Sequence, residues 1–412
     1  MKKFLTMMLS VILAVSSLSL FTACGGDEDE KIAALICLHG EGSSYDKNFI
    51  DAFKAACAAK GVTEDQYTIE VDIPEDEPAY EKAAEFADAG YKVVFGDSFG
   101  HEKFLIKAAK EFPDTQFCHA TGTAGGFLTT TETTDDAPAN FHNAFASIYE
   151  GRYLAGVAAG LKLVQLYGTD DVVSDANAKI GYVGAWPFAE VKSGLTSFYL
   201  GVKSIVPNVT MEVRFTNSWY DPVAEQTAAE ALIQGGAKLV SGHADSYGVP
   251  TACKNAGIPN VFYNGTTNED TFVIASKINW QPYFEHMLDG VLNNKEIEKD
   301  YCGTLANGSV QITALGKAAA PGTQAKLDEV KAKLMNGEIK VFDCSTFTVE
   351  GASLTEYIAD VVDKGDYIPE TNVIKTENGV TYFAESEFRS APYFDIIIDG
   401  ITVGEDVVSP QP

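Results

Sequence analysis

Aromatic residues follow several apolar runs of this sequence, at positions where a binding surface can form. The run "KIGYVGAW" ends on Trp186, and Trp219 with Tyr220 follows shortly after the strand-like run "VTMEVRF". Tyr45 and Trp280 follow other apolar runs in the same way. An aromatic face that stacks on a flat ring contributes on the order of 1 kcal/mol beyond the buried area. These residues predict a site for a planar molecule, and the alternative interpretation is that they pack in a core or between lobes.

Polar side chains occupy the same kind of loop. The run "KLVSG" is followed by "HADSYG", which contains His243 and Asp245. A carboxylate beside a planar heterocycle can accept hydrogen bonds from its N–H groups, and a buried carboxylate needs such partners. We therefore expect His243 and Asp245 to supply polar contacts next to the aromatic rings.

An alternation of strand and helix patterns between residues 180 and 280 would position these loops. Within it, Asp221 can cap a helix that has Pro222 at its first position and ends at Gly235 and Gly236. Alternating elements of this length favour a parallel sheet covered on both faces, because each crossover packs a helix on the sheet. Ligands of such sheets bind in the crevice outside the carboxyl ends of the strands. The aromatic and polar loops are therefore predicted to face one crevice.

The same alternation begins at Lys31, which predicts an α/β protein of two similarly built lobes with a cleft that closes on a ligand. We expect lobe 1 over residues 31–149, with part of residues 276–345 returning to it, and lobe 2 over residues 150–275. Residues 346–412 form a C-terminal segment that the pattern assigns to neither lobe. The helix within residues 141–163 is dense in Ala and Gly, and small residues predict close packing on a neighbour.

The first 24 residues predict a signal peptide. Two lysines precede the apolar stretch Phe4–Leu20, and "FTAC" places Cys24 directly after a small-residue cleavage site. The site resembles a lipobox, although Phe21 stands where Leu is usual. Cys24 would then be the acylated anchor at the cell membrane, and residues 25–30 a short tether. The alternative, a transmembrane helix, is disfavoured because the apolar run is short and contains serines.

Composition excludes several classes of protein. The chain has 412 residues with 30 basic against 58 acidic side chains, and it lacks the clustered Lys and Arg that nucleic acid binding needs. None of the cysteines after Cys24 form a close pair, so neither a metal site nor any other cofactor is predicted. An exported location permits disulfides, and Cys302 with Cys344 is the pair outside the strand cores to be tested.

Several stretches resemble the basic membrane lipoprotein family, the substrate-binding lipoproteins of ABC importers for purine nucleosides and related bases. They are "YEGRYLAGVAAGLK", "KIGYVGAWPFAEVKSGLTSFYLGVKSIVPNV", "SWYDPVAEQTAAEALIQGGAKLV" and "INWQPYFEHMLDG", and the match spans about residues 31–345. The resemblance implies a two-lobe type I periplasmic-binding-protein fold, an ABC permease as partner, and a monomer without catalytic activity. A lipoprotein that senses its ligand and reports to a receptor uses the same closing cleft, so the sequence leaves this alternative open.

The resemblance also assigns site residues. In the family, the aromatics that match Tyr45 and Trp219 sandwich the purine ring, and Glu41 falls near an acidic residue of the first loop. Asp245 and Ser246 lie in the loop that faces the ligand. The full predicted ligand-binding set is Glu41, Tyr45, Ser98, Trp186, Trp219, Tyr220, His243, Asp245, Ser246, Asn264, Asn279 and Trp280.

Two departures from the family pattern bear on the ligand. Asn264 stands where many members have Asp, and Ile278–Asn279–Trp280 stands where they have a Lys. Those family residues hold the ribose. A free nucleobase or another flat heterocycle is therefore as compatible with the sequence as a nucleoside.

A serine hydrolase is the enzymatic alternative. The stretch "LHGEGSS" resembles an oxyanion loop and "GDSFG" fits G-x-S-x-G, which would make Ser98 the nucleophile and His286 its base. However, His286 lies in an amphipathic helical pattern, and His243 precedes its nearest Asp, which reverses the expected order. The sequence therefore favours Ser98 as a loop residue near the cleft.

Overall fold

The computed structural model describes residues 30–122, 137–170, 172–363 and 366–409. The predicted signal peptide and Cys24 lie outside these residues. None of the described helices has the length and apolar content needed to cross a membrane. The strands are β1 (Ala33–Ile36), β2 (Tyr67–Glu70), β3 (Val93–Gly96), β4 (Gln116–Ala120), β5 (Phe141–Ala146), β6 (Gly168–Thr169), β7 (Val172–Val173), β8 (Lys179–Gly184), β9 (Thr210–Phe215), β10 (Val240–His243), β11 (Asn260–Tyr263), β12 (Phe272–Ile278), β13 (Asp300–Gly303), β14 (Val310–Ile312), β15 (Ile358–Asp363), β16 (Asp366–Asn372), β17 (Ile374–Glu377), β18 (Val380–Phe383) and β19 (Ile401–Val403). The helices are α1 (Ser44–Lys60), α2 (Glu77–Asp88), α3 (Glu102–Glu111), α4 (Ile148–Tyr167), α5 (Ala189–Lys203), α6 (Pro222–Gln234), α7 (Gly248–Ala256), α8 (Gln281–Asn293) and α9 (Thr323–Met335).

Two large sheets organise these elements. The first has the strand order β13-β5-β4-β3-β1-β2, with all neighbours parallel. The second has the order β14-β12-β11-β10-β8-β9-β19 and is parallel except for the β12–β14 pair. The predicted architecture of two parallel sheets flanked by helices is confirmed. The stretch between β12 and α9 contributes a strand to each sheet.

Alternate residues of the first-sheet strands face two helix layers. Leu35 and Phe95 pack into the same core as Phe49 of α1, while Ile36 and Val94 pack with α2 and α3. Because both faces are covered, β1 and β3 are buried along their whole length. This burial explains why these strands read as continuous apolar runs.

Helices α4 and α5 cross at close range within the second lobe. A Cβ added to Gly156 would overlap the carbonyl oxygen of Phe198, and one added to Gly201 would overlap that of Tyr153. The prediction that the Ala- and Gly-rich helix packs tightly on a neighbour is confirmed. Only glycine at these two positions lets the backbones approach so closely.

The C-terminal segment folds onto the rest of the chain. Beyond α9 it forms two antiparallel hairpins, β15–β16 and β17–β18, and ends with β19 parallel to β9 at the edge of the second sheet. Cys302 and Cys344 are both free thiols, so the disulfide considered for this pair is absent. Their sulfurs lie instead near the carbonyl groups of Gly303 and Phe342.

Candidate functional site

A cavity lies where the carboxyl ends of strands from both sheets meet. It has about 20 Å³ of free volume, which is room for about one water molecule, so a larger ligand enters only if the walls move apart. The first sheet contributes Leu38, Tyr45, Ser98, Phe99 and Thr121, and the second contributes Glu190, Trp219, His243 and Asp245. We call this the inner cavity.

An outer groove adjoins the inner cavity and shares Leu38, Phe99 and Trp219 with it. The groove has a volume of about 410 Å³, which falls in the range of small-molecule sites. Its other lining residues are His39, Glu75, Gly100, Lys103, Trp186, Phe188, Asn217, Ser218 and Tyr220. The inner cavity and the outer groove together form the candidate site.

Tyr45 reaches the inner cavity from the first turn of α1. Ser43 caps this helix by accepting a hydrogen bond from the backbone N–H of Asp46. The Tyr45 hydroxyl donates to the carbonyl oxygen of Asp97 at 2.9 Å, and its ring lies 4.9 Å from that of Phe49. Burial raises the pKa of Tyr45 well above its ordinary value, so the phenol stays neutral. The side chain is thus held at both its ring and its hydroxyl.

An aromatic wall forms on the second-sheet side. Trp219 follows β9, and its carbonyl oxygen accepts a hydrogen bond from the N–H of Asp245 at 2.9 Å. Its ring lies 6.1 Å from Phe188, which in turn stacks on Trp186 at 5.7 Å with an interplanar angle of 9°. Phe99 of the first sheet reaches this wall, since its ring lies 5.8 Å from Phe188.

Asp245 is a buried carboxyl group of the inner cavity. Burial raises the pKa of Asp245 well above its ordinary value, and the carboxylates of Asp46 and Glu225 raise it further. A buried, protonated carboxyl can donate one hydrogen bond and accept others. Asp245 can therefore pair with both a donor and an acceptor on one edge of a ligand.

Glu190 and His243 form a buried pair at the cavity wall. The Nε2 atom of His243 lies 3.3 Å from a carboxylate oxygen of Glu190. Burial lowers the pKa of His243 to about 4, so the imidazole is neutral at pH 7 and donates Nε2–H to Glu190. Gly194 packs against the His243 ring on the side of Nδ1. A Cβ atom at Gly194 would lie only 3.0 Å from that nitrogen.

Direct contacts join the two sheets around the cavity. The N–H and Oγ of Ser44, next to Tyr45, donate to the carbonyl oxygen of Asp245 at 2.9 and 3.2 Å. The rings of His39 and Tyr220 lie 5.1 Å apart across the groove. The structure therefore holds the cleft in a closed arrangement.

The structure brings most of the predicted site residues together. Ser246 lies behind the wall, where its N–H donates to Glu225 and its hydroxyl accepts from Gly248. The inner cavity contains Tyr45, Ser98, Trp219, His243 and Asp245, and the outer groove adds Trp186 and Tyr220.

The structure places Trp280 and Glu41, which belong to the predicted set, outside the inner cavity and the outer groove. Trp280 lies between β12 and α8, directly before the first residue of the helix, and its indole stacks on Phe49 at 4.4 Å inside the core of the first sheet, where it is 1% exposed. Glu41 faces solvent, and one of its carboxylate oxygens lies 3.6 Å from the Nζ atom of Lys54. The buried acid of this segment is Asp46, which accepts from the N–H of His39 at 2.6 Å.

Asn264 and Asn279 also lie outside the inner cavity and the outer groove. The side-chain oxygen of Asn264 accepts from the N–H of Ile278, and the amide of Asn279 donates to the carbonyl oxygen of Gly308. Both side chains satisfy backbone groups where the chain passes between the sheets. The structure therefore does not bring these two side chains to the inner cavity or the outer groove.

Glu190, Phe188 and Thr121 line the site but were not predicted from the sequence. Phe188 and Glu190 follow Trp186 in "WPFAEV", at the start of α5. An acidic residue in the first turn of a helix is commonly explained by the helix dipole, so this signal pointed to a structural role. Only the position of α5 beside His243 shows that Glu190 faces the cavity.

The hydrolase hypothesis is wrong. The Ser98 hydroxyl donates to Glu75 at 2.6 Å, and His119 contacts the backbone oxygen of Ser98 and not its hydroxyl. His286 accepts a hydrogen bond from the N–H of Glu298. No histidine contact that would activate Ser98 is formed among these residues.

Among the described residues, Cys37, Asp46 and Asp97 are the group with the spacing of a metal site. Burial raises the pKa of Asp97 well above its ordinary value, and the neighbouring carboxylate of Asp46 raises it further. One oxygen of Asp97 accepts from the N–H of Leu38, and one oxygen of Asp46 accepts from that of His39. These two hydrogen bonds hold the loop after β1.

Comparisons with known proteins agree with this geometry. The family model for PnrA-like ABC transporter substrate-binding proteins (Bmp) matches residues 41–344. A purine-binding protein of Brucella abortus is 30% identical over 277 residues, which cover 66% of this chain and 71% of the relative. A putative ABC transporter glucose-binding protein, TsgA13 of Haloferax volcanii, is 28% identical over 290 residues, which cover 70% of this chain and 67% of the relative.

A solved structure of an ABC transporter solute-binding protein from Conexibacter woesei has the same fold. It superposes with a TM-score of 0.57 at 21% identity, and the match covers 75% of this chain and 98% of that one.

Proposed function

Because the chain belongs to the family of PnrA-like substrate-binding proteins of ABC transporters, we propose that it captures a purine nucleobase or nucleoside between its two sheets and passes it to a permease. Membership in this family makes the chain a non-enzymatic transport component. The proposal adds the identity of the ligand, the residues that bind it and the mode of delivery.

One observation carries the ligand class. Tyr45 from the first sheet and Trp219 from the second line the same inner cavity, next to the carboxyl groups of Asp245 and Glu190. Two aromatic rings on opposite walls suit a flat ligand that is buried when the walls close. The carboxyl groups suit its edge, since a purine presents both N–H donors and ring nitrogen acceptors. The purine-binding relative from Brucella abortus supports the same class.

A free base fits this site better than a nucleoside. The residues that line the inner cavity include no Lys or Arg. At the positions of the family's ribose contacts, the side-chain oxygen of Asn264 accepts from the N–H of Ile278, and the amide of Asn279 donates to the carbonyl oxygen of Gly308. A ribose would therefore find no Lys or Arg in the inner cavity, and its hydroxyl groups would depend on polar side chains of the outer groove such as Lys103 and Ser218.

Calorimetric titration of the mature protein tests the ligand class. We expect a purine base to bind with a Kd in the micromolar range or below, and adenosine, guanosine and uracil to bind at least about tenfold more weakly. Glucose is the informative comparison, because the relative from Haloferax volcanii is a putative glucose-binding protein. Binding of glucose without measurable binding of any purine would overturn the proposal.

We further propose that the protein acts as a monomer anchored through an acylated Cys24. Metabolic labelling with a fatty acid should mark the wild-type protein and not a Cys24→Ser variant. The variant should leave the membrane fraction but keep the wild-type affinity for its ligand, since Cys24 precedes the folded region. Equal membrane retention of both proteins would contradict the anchor.

A further inference from the structure

The C-terminal segment lies beyond the region that the family model matches, yet it attaches firmly to the first sheet. The N–H of Ser390 donates to Asp300 of β13 at 2.7 Å, and its hydroxyl donates to the other oxygen of the same carboxylate at 2.5 Å. The side-chain amide of Asn143, on β5, donates to the Ser390 hydroxyl at 3.1 Å. These contacts attach the C-terminal segment to the two neighbouring strands β13 and β5.

The same segment then reaches the second sheet and the loop that carries Trp219. After β19, the N–H groups of Gly404 and Val407 donate to the carbonyl oxygens of Val213 and Phe215, each at 2.8 Å. One residue earlier than Val407, the carboxylate of Asp406 accepts a hydrogen bond from the side-chain amide of Asn217 at 2.9 Å. The segment thus continues along β9 as far as the loop, two residues before Trp219.

The backbone conformation of Asn217 depends on contacts with other parts of the protein. Its backbone has a φ of +54°, in the left-handed region that non-glycine residues seldom adopt. A residue held there persists because its surroundings fix it. Two hydrogen bonds that Asn217 donates supply that support: its side-chain amide donates to the carboxylate of Asp406, and its backbone N–H donates to the carbonyl oxygen of Ala185.

Buried side chains hold the segment in place between its two attachments. Tyr393, Phe394 and Ile398 are each 3% exposed or less. Phe394 stacks on Phe342 at 4.6 Å. The segment is therefore a packed part of the fold.

We infer that the C-terminal segment is a positioning element of the binding site, with Asp406 as a positioning residue that holds the Asn217–Tyr220 loop against the cleft. This inference rests on the proposed role of Trp219 in ligand binding. It implies that the segment sets the affinity of the site, although none of the residues that the structure describes in this segment lines the inner cavity.

The test compares Asp406→Ala with Asp406→Asn, which keeps an oxygen acceptor for Asn217, and with Glu405→Ala, which removes a neighbouring exposed charge. In the absence of ligand, Asp406→Ala should speed the hydrogen exchange of amides 216–220 by about fivefold, while Asp406→Asn and Glu405→Ala stay near the wild-type rate. The affinity for the best purine base should fall by about threefold to tenfold in Asp406→Ala alone, with an unchanged Tm.

A chain that ends after Gly404 provides a second, larger change. It keeps β19 but removes the contacts of Asp406 and Val407, so its exchange and affinity should change at least as much as those of Asp406→Ala. Unchanged exchange of amides 216–220 in both proteins would overturn the inference. Faster exchange in a protein that binds no purine would instead leave the positioning role in place and refute the proposed ligand.

Discussion

At the scale of single residues, the candidate site combines two aromatic rings from opposite sheets with buried acidic and imidazole groups. Tyr45 and Trp219 line one cavity, and burial raises the pKa of Asp245 well above its ordinary value and lowers the pKa of His243 to about 4. A negatively charged ligand would lack a counterion there, because the residues that line the inner cavity include no Lys or Arg.

Trp219→Ala is the most direct test at this scale. We expect the affinity for the preferred purine base to fall at least about tenfold, because the variant loses both buried area and ring stacking. Trp186 lies in the outer groove, so Trp186→Ala serves as the control and should weaken binding by less than about threefold. Equal losses in the two variants, measured by calorimetry, would place the ligand in the groove and not in the inner cavity.

Glu225 makes stability depend on pH. Its side chain is 1% exposed, and burial raises its pKa from an ordinary 4.5 to about 7. Between these values the folded protein holds a proton that the unfolded chain has released, so the free energy of unfolding falls as the pH rises. The titration of Glu225 changes the free energy of unfolding by at most about 3 kcal/mol.

Glu225→Gln removes this titration but keeps an oxygen that can accept from the N–H groups of Asp221 and Ser246. We expect the decrease in the free energy of unfolding between pH 5 and pH 7.5 to become smaller by about 2 kcal/mol. Urea denaturation at the two pH values measures this difference. Glu230→Gln on the same helix is the control, and its free energy of unfolding should keep the wild-type pH dependence. If the pH dependence became smaller in both variants, Glu225 would not be its cause.

At the scale of elements, the α4–α5 crossing connects composition with packing. Replacing Gly156 by Ala should stabilise an isolated helix by about 1 kcal/mol. In this fold the new methyl group would overlap the carbonyl oxygen of Phe198, so we expect Gly156→Ala to destabilise the protein by about 2 kcal/mol or more. Urea denaturation measures which effect is larger. A lower free energy of unfolding in Gly156→Ala would show that the overlap with Phe198 dominates, and a higher one that helix propensity dominates. Gln165→Leu, at an exposed position of α4, should change stability by less than about 0.5 kcal/mol.

At the scale of the whole molecule, the contacts across the cleft bias the protein toward its closed form. The hydroxyl of Ser44 donates to the carbonyl oxygen of Asp245 on the opposite sheet. Ser44→Ala removes this bond without touching the aromatic walls, so a larger share of the unliganded protein should be open. We expect ligand affinity to fall about threefold to fivefold and the radius of gyration without ligand to increase.

Small-angle scattering and calorimetry measure these two effects. Ser204→Ala is the matched control, because its hydroxyl donates to Gly201 within its own helix. An unchanged radius of gyration together with an unchanged affinity in Ser44→Ala would show that this bond does not govern closure.

The sequence by itself determined the architecture and the place of the site. Its alternation of buried strands and helices predicts parallel sheets, and the carboxyl ends of parallel strands must meet at one edge. This rule explains why the loops of Trp219, His243 and Asp245, which are separate in the sequence, line one cavity.

The tertiary structure alone decided which neighbouring side chains face that cavity. Trp280 turns into a core while Glu190 turns toward His243, because helix packing and not local pattern sets the direction of a side chain at a helix start. The C-terminal segment is a further case, since the polar sequence around Asp406 carries no periodicity that would place it beside Asn217. Contacts between residues so distant along the chain form only when the sheets assemble, and a local sequence pattern does not contain them.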